Sequence, residues 1–269
     1  MKYIFTLCAT LLLFSCNNSK TPDTDPDIIP PPSGIKAPEK ISFTILSQYP
    51  HDTSAYTQGL EIHNGMLYEG TGDYESSSLR ITNWKTGKVE QKHVMGSADI
   101  FGEGITIFKN KLYQLTWQSN VVYVYDISNI EKAVRTIQWP YDGWGITHDS
   151  TNLIISDGTS NIYFTDPETF KVKSTVSVKD DKGPVNYINE LEYVNGYIYA
   201  NIYETDDIIK IDPESGHVIG KISLPGLLQP SDVIPYRTNV LNGIAYDSAS
   251  GHFLITGKRW PKMFEMKLN

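Results

Sequence analysis

Phe101-Gly102-Glu103-Gly104-Ile105-Thr106 sets a single carboxylate between two glycines at the start of an apolar, alternating run. A glycine on each side clears neighbouring side chains and lets the backbone approach a ligand closely, so Glu103 can stand at the floor of a pocket. A carboxylate placed there is suited to act as the proton shuttle of an enzyme. Taken alone, the hexapeptide also fits a β-bulge or tight turn with a solvated Glu. Its recurrence along the chain favours a site.

Five copies of the pattern align: Gln58-Gly59-Leu60-Glu61-Ile62, Glu103-Gly104-Ile105-Thr106-Ile107, Trp144-Gly145-Ile146-Thr147-His148, Asn189-Glu190-Leu191-Glu192-Tyr193 and Asn242-Gly243-Ile244-Ala245-Tyr246. Their spacing of about 40 to 50 residues is the period of four-stranded propeller blades. A second short apolar strand follows each copy, as at Met66-Leu67-Tyr68 and Tyr197-Ile198-Tyr199, with Asn64-Gly65 and Asn195-Gly196 as hairpin turns. Third strands alternate, as in Val122-Tyr123-Val124-Tyr125, and Asp166-Pro167-Glu168-Thr169 and Asp212-Pro213-Glu214-Ser215-Gly216 punctuate the step to the outer strand. The fifth copy meets the end of the chain after three strands, so Ile41 to Leu46 is expected to supply the fourth. The expected fold class is all-β: a five-bladed β-propeller closed by pairing the N-terminal strand with the last blade, which removes open edges. A β-sandwich would account for the strand count but not for the repeat.

In a propeller the innermost strand of each blade lines the central channel. The residues before the repeated Gly-Leu/Ile then form a ring of Gln58, Glu103, Trp144, Asn189 and Asn242. Amides, one carboxylate and an indole suit a small polar ligand with both donors and acceptors, or a ring satisfied by ordered water. Trp117, Tyr203 and Lys258 leave the ends of the second strands and overhang the same mouth; with Tyr56, Phe101 and Trp144 they make an aromatic cup, and Lys258 becomes a partner for Glu103. Trp84, Trp139 and Trp260 are assigned to packing. His51, His63, His93, His148, His217 and His252 lack ligand spacing and read as surface or turn residues, so no catalytic metal is indicated. A structural calcium ion on carbonyls of the central channel is retained as an expectation.

The formal charge is −8, with acids and bases interspersed and no Lys/Arg run. Nucleic acid is excluded as a partner for want of a basic footprint, and the acidic balance leads us to expect weaker binding of acidic peptides. Residues 1–16 read as a lipoprotein-type signal peptide: Lys2, an apolar Ile4 to Phe14 too short to span a bilayer, then Ser15-Cys16. Ser15-Cys16 resembles a bacterial lipobox, which implies acylation of Cys16, export, and attachment to the cell envelope by the lipid anchor alone. Cys8 and Cys16 are the two cysteines, so the exported domain has no internal disulfide. Residues 17–40, with Pro30-Pro31-Pro32, form a tether; 41–269 form the propeller, expected to be a monomer.

Tyr56-Thr57-Gln58-Gly59-Leu60, Phe101-Gly102-Glu103-Gly104-Ile105-Thr106, Leu115-Thr116-Trp117, Gly143-Trp144-Gly145-Ile146, Ile188-Asn189-Glu190-Leu191-Glu192, Leu241-Asn242-Gly243-Ile244-Ala245 and Thr256-Gly257-Lys258-Arg259-Trp260-Pro261-Lys262 occur in one order. Together they resemble the glutamine cyclotransferase family, the plant and bacterial type of glutaminyl cyclase, over essentially all of Phe43 to Phe264. The resemblance implies a five-bladed propeller that converts an N-terminal glutaminyl residue of peptides or proteins to pyroglutamyl with release of ammonia, without a cofactor. It makes Glu103 the acid/base, Gln58 and Asn189 holders of the substrate's amine and amide, and Lys258 a group behind the carboxylate. Phe101, Trp117 and Trp144 would enclose the forming ring, with Gln58, Asn189 or Asn242 as donors to the oxyanion. Tyr56 and Tyr203 stand where the family pattern has Phe and Trp, and Glu75 where it has Gly. Two readings compete with it: a non-catalytic propeller binding a peptide or sugar at the same mouth, and a metal-dependent lactonase-like hydrolase.

Overall fold

In the structure, a computed structural model, residues 34–95 and 98–269 are described. The expected signal peptide, its lipidation site Cys16 and most of the expected tether lie outside them. The chain opens with β1 (Glu39–Lys40) and β2 (Phe43–Pro50). The first blade is β3 (Thr57–His63), β4 (Met66–Thr71), β5 (Ser78–Asn83) and β6 (Lys88–Val94). The second is β7 (Phe101–Phe108), β8 (Lys111–Trp117), β9 (Val121–Asp126) and β10 (Asn129–Gln138). The third is β11 (Ile146–His148), β12 (Leu153–Ser156), β13 (Asn161–Thr165) and β14 (Val172–Ser177). A hairpin, β15 (Lys179–Asp180) and β16 (Gly183–Pro184), precedes the fourth blade of β17 (Ile188–Val194), β18 (Tyr197–Ile202), β19 (Asp207–Ile211) and β20 (Val218–Ser223). The fifth is β21 (Leu241–Asp247), β22 (His252–Gly257) and β23 (Lys262–Leu268).

Each blade is an antiparallel meander, and β2 completes the fifth in the order β2-β23-β22-β21, with Phe43 opposite Leu268 and Pro50 opposite Lys262. The expected closure by the N-terminal strand is therefore what forms. One boundary moves: β1 pairs in parallel with β20, Glu39 opposite Gly220, so the tether assigned through Lys40 is already part of the fourth sheet from Glu39. Gly220 permits this because a Cβ there would lie 2.6 Å from Ile41 Cδ1. Asn64-Gly65 and Asn195-Gly196 turn with positive φ at both residues, as two-residue hairpins of this twist require.

Core side chains sit between neighbouring blades. Trp139 packs with Leu115, Val122 and Tyr163 between the second and third, Trp260 with Leu241 and Phe264 near the seam of the fourth and fifth, and Trp84 with Leu67, Leu254 and Met263 between the fifth and first. All three tryptophans are packing residues, as expected.

The repeated glycines let the innermost strands meet backbone to backbone. A Cβ on Gly145 would fall 2.1 Å from Asn189 O, and one on Gly104 2.7 Å from Trp144 O. In the fourth copy the glycine is replaced by Glu190, whose carboxylate accepts from Leu60 N at 3.1 Å and Ile244 N at 2.9 Å. Three positions after the ring slot, Glu61 accepts from Ile107 N at 2.7 Å, Glu192 from Tyr246 N at 2.8 Å, and Thr147 Oγ1 from Tyr193 N at 3.1 Å. Side chains of one blade thus satisfy amides of another around the channel, where buried donors need partners.

Candidate active site

A register shift recurs near the start of four innermost strands: between Thr57 and Gly59, Gly102 and Ile105, Ile188 and Leu191, and Leu241 and Ile244. A bulge re-aims the extra side chain out of the strand's alternation, and here the residues at the shift include Gln58, Glu103, Asn189 and Asn242. The Glu103 hexapeptide is bulged, and the bulge is how the carboxylate reaches the channel. In the third blade the slot precedes β11, and Trp144 is fixed instead by its N–H donating to Ser156 O at 3.1 Å and its carbonyl accepting from Gly104 N at 2.8 Å.

The strands deliver Tyr56, Gln58, Phe101, Glu103, Trp117, Trp144, Asn189, Tyr203 and Lys258 to one cavity of about 240 Å³. It lies at the end of the channel where the innermost strands begin and the second strands end. Its aromatic walls meet edge to face: Tyr56 on Phe101 with centroids 6.0 Å apart, Phe101 on Trp117 at 5.7 Å, and Trp144 on Tyr203 at 5.6 Å. Gly158, with φ +81°, makes room for Trp144, since a Cβ would stand 2.6 Å from Cε2 of the indole. Glu75, where the family pattern has Gly, has φ +70°, a left-handed backbone that glycine enters without strain.

Glu103 is buried, and its Oε1 accepts a hydrogen bond from Gln58 Nε2 at 3.0 Å. Burial pushes its carboxyl well above the usual range, opposed by Lys258 and assisted by Asp142. Lys258 is also buried, and burial brings its ammonium down to about 8 against the pull of Glu103. The ammonium does not form an ion pair with Glu103. Nζ sits 4.8 Å from the ring centroids of both Tyr56 and Tyr203, clasped between faces that favour a cation. Asn189 is buried with no hydrogen bond to its side-chain oxygen among the described residues, which leaves an acceptor available to a ligand.

Asn242 is the one expected binding residue that does not line the cavity. Its Nδ2 donates to Thr57 O at 3.0 Å and Gln58 Oε1 at 3.3 Å, so it orients the Gln58 amide and has no proton left for an oxyanion. The ring argument fixed its height but not its direction. His51 also departs from expectation. It is buried, hydrogen-bonded to Trp260 O at 2.8 Å and to Glu69 at 3.1 Å. Burial opposes its charge, yet the Glu69 carboxylate outweighs that and holds the imidazole above its ordinary value. Sequence reasoning assigns no role to the channel carboxylates Glu61, Glu190 and Glu192; the missing glycine at position 190 is the signal that marks Glu190. Among the described residues, no three His, Cys, Asp or Glu side chains are grouped to hold a metal.

Fold and site together define a class: a five-bladed propeller with an aromatic-walled pocket at one channel mouth, floored by one protonatable carboxylate. The model of the family described as glutamine cyclotransferase matches residues 9–268. A protein of Arabidopsis thaliana named glutaminyl-peptide cyclotransferase is 40% identical over 226 residues, covering 83% of this chain and 70% of that protein. The crystal structure of Myxococcus xanthus glutaminyl cyclase superimposes with a TM-score of 0.78 at 35% identity, over 86% of this chain and 98% of that one. The chain belongs to the glutamine cyclotransferase family.

Proposed function

We propose that this protein is a glutaminyl-peptide cyclotransferase in which Glu103 moves the proton. The observation that carries this reading is a single carboxylate, pushed toward its neutral form by burial, at the floor of a cavity smaller than the ~300–1,000 Å³ typical of drug-sized ligands. That space suits one folded glutaminyl residue. In the reaction the substrate's α-nitrogen bonds to its own side-chain amide carbon, the bond from that carbon to the amide nitrogen breaks, and one proton passes from the attacking nitrogen to the departing ammonia.

Each residue contributes a distinct part. The walls of Phe101, Trp117, Trp144, Tyr56 and Tyr203 favour the compact, ring-like conformer, a gain of proximity that reaches several kcal/mol in such reactions. The free Asn189 oxygen accepts from the substrate's amine or amide. The Asn242-to-Gln58 bond aims Gln58 Nε2 at Glu103, fixing the carboxyl for transfer. Burial raises the Glu103 carboxyl toward the range of the substrate's amine, which suits it to taking that proton and giving it to the leaving group. Lys258 supplies positive charge to the mouth while the amide oxygen becomes anionic. The binding-propeller alternative leaves a buried carboxylate without a task, and the hydrolase alternative needs a metal-ligand group that the described residues do not form.

The test is a mass-resolved incubation of the domain with a short glutamine-headed peptide, with and without a chelator. Loss of one ammonia, unchanged by the chelator, is the expected result; no mass change from a folded domain would leave a binding propeller. The melting temperature of the chelated sample also reads the structural calcium expected on channel carbonyls, which takes no part in the chemistry as written.

Export and anchoring belong to the same proposal and rest on residues 1–16, with a monomeric enzyme acting on peptides at the envelope. Replacing the acylated cysteine, Cys16→Ser, should move the protein from the membrane to the soluble fraction of cells. Retention on the membrane would remove the lipid-anchor reading and leave the cyclase untouched.

A further inference from the structure

Beside the cup lies a second cavity of about 430 Å³, lined by Ser54, Ser76, Arg80, Lys92, Tyr236, Arg237 and Arg259. Four of these seven residues are cationic, in a chain of net charge −8. Its position follows from the fold: β6 runs toward the mouth, β5 starts there, and the loops before β3, before β21 and after β22 meet at the same end. Tyr56 links the two cavities. Its ring walls the cup and also lies 5.3 Å from Arg259 Cζ.

Two of the cations are committed. Arg80, fully buried, donates to Asp52 at 2.8 Å, and Arg259 is paired with Asp73. Lys92 and Arg237 are exposed and form no ion pair among the described residues; Arg237 Nε donates only to Thr53 O at 3.1 Å. Lys92 stands directly opposite Arg80 in the β5–β6 register. Like charges at such a position are destabilising, and Asp52 and Glu69 offset them only in part: burial and Arg80 still hold the Lys92 ammonium below its ordinary value. The remaining mouth loops carry Asp99, Asp142, Asp157, Asp180, Asp181, Glu204 and Asp206, with the cations Lys179 and Lys182 in the β15–β16 hairpin, while the basic sector itself contains the carboxylates Asp52, Asp73 and Glu75. The rim is therefore polarised, basic where the first and fifth blades meet and acidic over much of the remainder.

We propose that this basic sector is a subsite for a carboxylate of the substrate peptide, one or two residues beyond the glutamine being cyclised. The assignment rests on the cyclase reading and deepens it. An extended chain advances about 3.3 Å per residue, so a peptide leaving the cup over Tyr56 brings its second or third side chain beside Arg259, Lys92 and Arg237. Tyr236, exposed, lines the same cavity. Acidic peptides are then preferred locally, against the expectation drawn from the net charge of the whole chain.

The experiment compares tripeptides Gln-Ala-Glu and Gln-Ala-Gln, each with a free and an amidated C terminus, on wild type and on the exposed double variant Lys92→Ser/Arg237→Ser. Turnover and, on the same peptides, calorimetric binding are measured at low and raised salt. We expect kcat/KM to be about two- to fivefold higher for the Glu peptide in wild type, the range of solvent-screened ion pairs. That preference should shrink with salt and vanish in the double variant, while both enzymes turn over the amidated Gln-Ala-Gln peptide equally. A gain that follows the free C terminus instead of the Glu side chain assigns the subsite to the chain-terminal carboxylate. Indifference to both carboxylates in wild type, or a preference that survives the double variant, overturns the proposal. If no peptide is cyclised, the cyclase reading fails by itself, and calorimetry still decides the charge preference.

Discussion

Glu103→Gln should fold like wild type and lose about 100- to 10,000-fold in kcat, the range that a positioned proton carrier contributes. The substitution keeps the shape of the side chain and an oxygen for the Gln58 Nε2 bond, now at 3.0 Å. It removes only the capacity to hold and release a proton. Since burial already pushes the carboxyl toward its neutral form, the neutral amide should cost little stability, and KM should change far less than kcat. The measurement is ammonia release with the melting temperature taken on the same sample. A folded variant with near wild-type kcat would take the proton-carrier role away from Glu103, leaving the aromatic cup and the substrate's own amine to account for the rate.

The second large effect lies away from the cup. Glu190→Ala should destabilise the domain by roughly 2–6 kcal/mol, because it strands the Leu60 and Ile244 amides in the channel at about 1–3 kcal/mol each. For a domain of this size that corresponds to roughly 5 to 20 °C in melting temperature. The variant's activity, assayed well below its own transition, should stay near wild type, since Glu190 does not line the cavity. An unchanged melting temperature would mean that water satisfies both amides and that the carboxylate is not a tie between blades.

Wild type carries a matching pH signature. Burial, with Glu192 and Glu61 adding to it, holds Glu190 well above the usual carboxylate range; burial and Glu61 do the same for Glu192, and burial brings Glu61 up to about 7 against the pull of His148. Unfolded glutamates titrate near ~4.3. Between the unfolded and folded values the native state binds the extra protons, so these groups make stability fall as pH rises. His51, held above its ordinary value, acts in the same direction. The melting temperature should therefore be higher near pH 5 than near pH 8, and Glu190→Ala should show a weaker dependence over that interval.

What the sequence determined by itself was whatever is written with a local period. The alternation of each strand, the Asn-Gly and Asp-Pro turns and the five-fold slot ahead of Gly-Leu/Ile are short-range patterns. They were enough for the blade count, the closure by the first strand, and all nine residues that line the cup. Even Glu103 was readable, because flanking glycines and a break in alternation mark a bulge wherever they occur. The tertiary structure decided what depends on the meeting of separate blades. Whether burial or Lys258 governs the Glu103 carboxyl depends on how closely the blades exclude water and how far the ammonium stands, and the clasp of Lys258 between Tyr56 and Tyr203 joins three of them. Asn242 shared a slot with Asn189 yet turned to Gln58, since its neighbours and not its position in the repeat offered it acceptors. Glu190 broke the glycine pattern visibly, but the two amides it satisfies come from other blades, and the basic sector gathers a strand, its register partner and two loops distant in the chain. A repeat sets which residues share a height in the channel; only packing sets which way each one faces, because that is chosen by hydrogen-bond partners and charges brought in from elsewhere in the sequence.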